Sequence, residues 1–310
     1  MMLLLPALAC ERGEPCAGCR EAPQPRHLQL TLASGMPETR SDGSSWAESR
    51  LAQCRLYVFS RSGYLVNCYD SSDGRFDLFL TDETYDFVAV ANKDGLPAFD
   101  VDKAGLLDTE TTLAENGAGS FVMVGRLDEH RIDGDEKITV EMQRLVAKIS
   151  YDIHTAFAGW LAAEPFAVEA VFLTNVTGVN RLSLADSLPA SQSLWYNRMD
   201  WEDNPDAPAA LLQEGPSFYA YPNASPDSHD KTAWGSRCTR FVVKASLAGQ
   251  TTYYPVTLEK VRANHHYHID LTVANFGVEH PEDRPDDYGS FAAFISVEPW
   301  KEGVSLRGDF

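Results

Sequence analysis

The sequence predicts an all-β fold, two antiparallel β-sandwich domains in tandem, and three features carry that expectation. Runs of roughly five to ten residues with alternating apolar and polar side chains recur along the chain, the period of a strand with one buried face. Turn residues separate these runs at short intervals, and few stretches have a helical period. The alternation also changes phase once, near the middle of the chain, within Lys137–Ile153.

In that stretch Ile138, Val140 and Met142 place the apolar side at even positions, whereas Leu145, Ala147, Ile149, Tyr151 and Ile153 place it at odd ones. One flat strand cannot do this, because a one-residue slip sends every side chain to the opposite face. Either a single strand carries a bulge there, or one strand closes a first sandwich and the next opens a second. The second reading divides the chain into sandwiches at 27–143 and 144–310, both of ordinary domain size.

From the N-terminus, residues 1–9 form an apolar run ending in small residues, which reads as a signal peptide and is too short to span a bilayer. Ala7-Leu8-Ala9-Cys10 resembles a bacterial lipobox, so Cys10 is the expected lipidation site, and 10–26, with three prolines and no apolar period, reads as a lipidated linker. His27–Leu32 alternates cleanly and presents Leu28, Leu30 and Leu32 on one face. A polar, Gly/Ser-rich stretch from Ala33 to Ser45 follows, the kind of segment that proteases nick.

Strands are then expected at Arg55–Phe59, Tyr64–Cys68, Arg75–Leu80, Asp86–Asn92, Ser120–Gly125 and Ile138–Met142, with a helical or loop insertion at Asp102–Glu115. After the phase slip they are expected at Leu145–Ile153, Ala167–Asn175, Ser217–Pro222, Thr239–Leu247, Thr251–Leu258, His265–Ala274 and Ser290–Glu298. Phe157–Ala163 suits a short helix, and 185–216 lacks a regular period and reads as a loop.

The 310 residues have 44% hydrophobic content and a formal net charge of −19, enough apolar material for one or two cores and the wrong sign for nucleic acid or an anionic membrane surface. No nucleophile elbow, phosphate loop or HExxH motif occurs, so no catalytic residue and no cofactor is expected. Cys16-Ala17-Gly18-Cys19 lacks the second ligand pair that zinc needs. If Phe59 pairs with Gly63, Cys54 faces Cys68 across a hairpin, and a cross-strand disulfide is geometrically open. His266 and His268 share a strand face, but no further ligand is indicated nearby, so no metal is expected; Asp133-Gly134-Asp135-Glu136 reads as a turn. Trp195, Tyr196 and Trp201, in the 185–216 loop, are candidate contacts for a glycan or a protein, or else pack that loop onto the second sandwich. Arg307-Gly308-Asp309 and the acceptor-like triplets at Asn175 and Asn223 are matches too short to carry a role.

Laid end to end, these pieces resemble the fimbrillin superfamily, the subunits and anchors of type V pili in Gram-negative bacteria. The resemblance rests on the lipobox at Cys10, the Leu28/Leu30/Leu32 strand followed by Thr39-Arg40, and the hairpin sequence Arg55 to Val66. It continues through Val88 to Asn92, Arg144 to Ile149, Phe218 to Asn223, Tyr253 to Val256, Asn264 to Tyr267 and Ser296 to Trp300. It implies transthyretin-like sandwiches, export through the periplasm as an outer-membrane lipoprotein, and polymerisation at the cell surface by strand exchange. In the family an Arg-specific protease removes the first strand, and Arg40 best matches that cut, with Arg26 and Arg50 as competitors. Uncovering the groove beneath three leucines, worth about 1.5–3 kcal/mol each, invites a neighbour's strand. Anchor subunits of the family keep their first strand. The implied partners are other fimbrial subunits, with a host surface protein or glycan beyond them. The alternative expectation is a monomeric surface lipoprotein adhesin that binds through the 185–216 loop.

Overall fold

Alternating sequence becomes alternating burial most plainly in the first strand of the computed structural model, β1 (Pro25–Ala33), where Leu28, Leu30 and Leu32 point inward. The structure describes residues 24–34, 48–117, 119–183, 194–198, 213–214, 217–224, 238–285 and 290–300. The first half also contains β2 (Cys54–Ser60), β3 (Leu65–Ser71), β4 (Arg75–Thr81), β5 (Thr84–Ala91), β6 (Glu110–Thr112), β7 (Met123–Arg131) and β8 (Glu136–Arg144). All of these except β6 form one seven-stranded sheet in the order β3-β2-β5-β7-β8-β1-β4. The sheet is joined at its middle by only three residue pairs, between Met123–Gly125 and Met142–Arg144, so its two ends fold over one another around the leucines of β1. Between β5 and β6 lies a short helix, α1 (Lys103–Leu107), capped by the Asp102 carboxylate, which accepts from the Gly105 N–H at 2.7 Å.

The second half contains β9 (Ala147–Thr155), β10 (Phe166–Thr177), β11 (Val179–Arg181), β12 (Leu194–Arg198), β13 (Gln213–Glu214), β14 (Ser217–Ala220), β15 (Arg240–Leu247), β16 (Gln250–Thr257), β17 (His265–Val273) and β18 (Phe291–Pro299). All of these except β11 form a four-stranded sheet, β12-β10-β15-β16, facing a five-stranded one, β13-β14-β9-β17-β18. The phase slip is the point where β8 stops and β9 starts in a different sheet, with Leu145 and Val146 both buried between them.

Four expectations need correction. The sheets are not purely antiparallel: β1 runs parallel to β8, and β17 runs parallel to β9. Side-chain period is the same in both directions, so alternation could not have revealed this. The 10–26 linker gives way to strand at Pro25, because a proline without an N–H is tolerated as a first strand residue. The 185–216 region contains two short strands, with β12 adding to the edge of β10 and β13 to the edge of β14. Finally, the insertion after α1 pairs β6 with β11 in a two-stranded ribbon that stitches the halves together. One continuous apolar core includes residues from both halves.

Candidate functional site

Two places in the fold are candidates for a functional role: the groove that holds β1, and a polar node where the halves meet. Within the groove β1 pairs with β4 antiparallel from Pro25 to Thr31 and with β8 parallel from Leu28 to Ala33. Leu28 and Leu30 are at most 1% exposed. On the same inner side, Phe76, Leu78 and Leu80 come from β4 and Val140 and Met142 from β8. At the start of the strand Arg26 forms a two-pronged ion pair with Asp82, at 2.5 and 2.9 Å, and the guanidinium holds the Asp82 carboxyl below the usual range. The N–H of His27 donates to the Asp135 carboxylate at 2.8 Å, while its ring stacks on Phe79 at 5.0 Å. At the other end Leu32 N–H donates to the carbonyl of Gly74 at 2.8 Å. Gly74 has φ +74°, and a Cβ there would stand 3.1 Å from that of Leu32, so the β3–β4 turn closes directly over the leucine.

The ladder has an asymmetric consequence. Among the described residues β4 is an end strand of the sheet, and its one strand neighbour there is β1. Removing β1 therefore opens two edges at once, that of β8 and that of β4, along an apolar trough.

The polar node centres on Arg144, the last residue of β8, which is 1% exposed. Its guanidinium donates to the Glu48 carbonyl at 2.9 Å, the Ser49 hydroxyl at 2.6 Å, the Asn264 side-chain oxygen at 3.2 Å and the Trp300 carbonyl at 3.2 Å. It also lies 4.4 Å over the Trp300 ring. The Glu48 carboxylate accepts from Lys148, Tyr219 and the Trp300 indole at 2.8, 2.7 and 3.2 Å. The node thus fixes the chain just before β2, the junction of the halves, and the residue after β18. In the sequence Arg144 stands at a strand boundary and in a stretch that carries the family resemblance, but no local signal marks the arginine as buried.

Of the residues singled out from sequence, Leu28, Leu30 and Leu32 lie together on the buried face of β1. Cys10, Arg40 and Trp201 lie outside the described residues. Trp195 and Tyr196 lie on β12. The Cys54–Cys68 facing pair is not formed. The register sets Tyr57 opposite Cys68 and Cys54 opposite Ser71, because a turn through Gly63 at φ +83° and a bulge after Val58 shift the hairpin by three residues. Both are free thiols, and burial pushes that of Cys54 up to about 11. Asp133–Glu136 is the tight connection from β7 to β8, with Asp135 serving β1. The Asn175 amide is committed to the Cys238 carbonyl at 2.7 Å, and Asn223 is buried. No helix among the described residues is long and apolar enough to cross a membrane.

No protein-family model matches the chain. Over 178 residues, 54% of the chain, it is 25% identical to the major fimbrium subunit FimC of Porphyromonas gingivalis, and it spans 36% of the length of that relative. Among solved structures it superposes on a fimbrilin from the same organism with a TM-score of 0.67, covering 90% of this chain and 98% of the other at 16% identity. The chain has the fold of that fimbrilin and is similar in sequence to a fimbrial subunit over about half of its length. The fimbrilin-like arrangement recurs in a candidate cell adhesion protein of Bacteroides eggerthii, with a TM-score of 0.64 and 15% identity over 91% of this chain and 98% of that one. It recurs again in the tip fimbrial protein Mfa3 of Porphyromonas gingivalis, with a TM-score of 0.58 and 14% identity over 89% of this chain and 100% of that one.

Proposed function

We propose that this chain is a structural, non-enzymatic subunit of a cell-surface fimbria, with two sandwich domains that meet between 143 and 144, the first beginning at Pro25. In this reading it is exported as a lipoprotein through Cys10, cut after Arg40, and joined to other subunits by a strand that replaces β1. The observation that carries the reading is the position of β1 between β4 and β8, covalently linked to β2 only through residues 34–53. The competing arginines are poorer substrates. Arg26 is inside a strand and ion-paired to Asp82, while Arg50, although exposed, is flanked by anchored residues. Its carbonyl accepts from Asn92 at 2.8 Å, Ala52 N–H donates to Asn92, and Ser49 is held by Arg144. A protease needs an extended segment that can be drawn into its cleft, which the anchored stretch around Arg50 does not offer.

The test is limited digestion of the chain lacking residues 1–9 with an Arg-specific protease, followed by intact mass and size exclusion. One cut at Arg40 with oligomers afterwards supports a polymerising subunit. Cleavage without any change in assembly, or resistance to cutting, leaves an anchor or a monomer and removes the strand-exchange reading.

A further inference from the structure

In the second half, the parallel register of β9 and β17 sets Asp270 opposite Asp152, His268 opposite Ser150 and Thr272 opposite His154. Tyr267, Ile269, Leu271 and Val273 of β17 are buried, so these even positions share the outer face. Like charges directly opposite one another destabilise a strand pair. Among the described residues no lysine or arginine ion-pairs with either aspartate, and β18, on the other side, brings Phe294 opposite Asp270 and Ser296 opposite His268. What the carboxylates face is imidazole. His268 Nε2 lies 3.5 Å from an Asp152 oxygen and 3.6 Å from an Asp270 oxygen, and His154 Nε2 is 3.9 Å from the same Asp270 atom.

We propose that Asp152, His268 and Asp270 bind a divalent transition-metal cation of the zinc class, with His154 as the nearest further donor. One ligand atom from each of the three lies within 4.8 Å of the other two. Metal–ligand bonds of ~2.1 Å in tetrahedral geometry put neighbouring donors roughly 3.4 Å apart, close to the imidazole–carboxylate separations present here. One imidazole with two carboxylates suits zinc, cobalt or manganese better than a thiolate-seeking metal. The histidine is also oriented for the task. The Ser150 hydroxyl stands 2.9 Å from His268 Nδ1 and 2.7 Å from His266 Nε2, so it can accept from the first while donating to the second. His268 Nε2 then turns a lone pair toward the two carboxylates, the arrangement by which outer hydrogen bonds fix a ligating ring. A proton resident on Nε2 leaves to solvent as the cation enters.

The experiment is titration of the chelator-stripped full chain with Co²⁺, read by calorimetry and by visible absorption, and repeated on Asp152→Asn and Asp270→Asn. The wild type should bind one Co²⁺ through nitrogen and oxygen donors, with each variant at least about tenfold weaker. Metal should raise the Tm of the wild type and leave that of the variants in place. Each asparagine relieves the carboxylate repulsion, so the metal-free variants should melt no lower than the wild type, which separates lost binding from lost folding. A cobalt–thiolate charge-transfer band with unchanged affinity in both variants would assign the metal to cysteines and overturn the proposal. Failure of the wild type to bind saturably overturns it equally.

Discussion

β1 and β17 occupy matching places in their halves. Each lies between one parallel and one antiparallel neighbour, β8 and β4 for β1, β9 and β18 for β17. Each turns alternate apolar residues into the core, Leu28, Leu30 and Leu32 in one case and Ile269, Leu271 and Val273 in the other. They differ in connection. A single break anywhere between Ala33 and Cys54 separates β1 from every other described strand, whereas β17 stays tethered to β16 or to β18 after any one cut. In the strand exchange proposed above, chain connectivity is therefore what distinguishes β1 from β17, because burial and strand pairing are alike in the two places.

The comparison can be broken or sharpened by experiment. The largest effect is expected from Arg144→Ala, which leaves the Glu48 and Trp300 carbonyls without their guanidinium donor. Each buried acceptor left unsatisfied costs about 1–3 kcal/mol, so a loss of about 3–5 kcal/mol is expected. Because the node joins the halves, denaturant unfolding followed by tryptophan fluorescence and circular dichroism should change from one transition to two; a single transition at the wild-type midpoint would show the halves to be uncoupled from Arg144. Next come Leu30→Ala and Ile269→Ala, each costing about 2–5 kcal/mol in the intact chain by the loss of a buried side chain. After cleavage between β1 and β2 their effects should diverge. Leu30→Ala should speed the loss of β1, measured by mass of the retained fragment, and Ile269→Ala should leave that rate alone.

A smaller effect is expected in acid. Burial raises the Asp86 carboxyl, but a 2.6 Å hydrogen bond from the Glu129 N–H and the Lys103 ammonium at 2.7 Å outweigh it and hold the group below its usual value. A carboxyl with a depressed native pKa contributes stability that is complete above its unfolded value, ~3.9, and vanishes as pH falls through the native one. Melting of the wild type and Asp86→Asn between pH 7 and pH 3 should therefore show a gap that is constant above about pH 5 and shrinks below pH 4; a gap that widens in acid would reverse the sign of the assignment. The smallest effect concerns thiols. Half-buried Cys68, its Sγ 3.2 Å from the Ala98 carbonyl, should be alkylated in the native state well before buried Cys54 and Cys238, as site-resolved mass spectrometry would show.

Much of the fold was legible because a half-buried strand advertises itself. Leu28, Leu30 and Leu32, the Arg75–Leu80 alternation and the phase slip before Leu145 all report faces, and faces follow from period. Direction and partner do not. Nothing in β1 or β17 encodes whether a neighbour is parallel, and the β6–β11 ribbon joins segments whose three-residue strands are too short to show a period. Register fails in the same way at Cys54 and Cys68, where a bulge moves one partner by residues that alternation cannot count. The Asp152–His268–Asp270 cluster was half visible: His266 and His268 share a face by period, but the carboxylates that meet His268 become neighbours only through the parallel pairing.

The central claim, that a cut between β1 and β2 makes β1 replaceable, is tested most directly with a labelled peptide. A synthetic copy of Pro25–Ala33 carrying heavy isotopes is incubated with cut and uncut chain, and the retained strand is weighed by native mass spectrometry. Cut chain should take up the labelled strand in place of its own while uncut chain takes up none. Equal uptake by both, or none by the cut chain, would contradict the account and return β1 to the status of an ordinary core strand like β17.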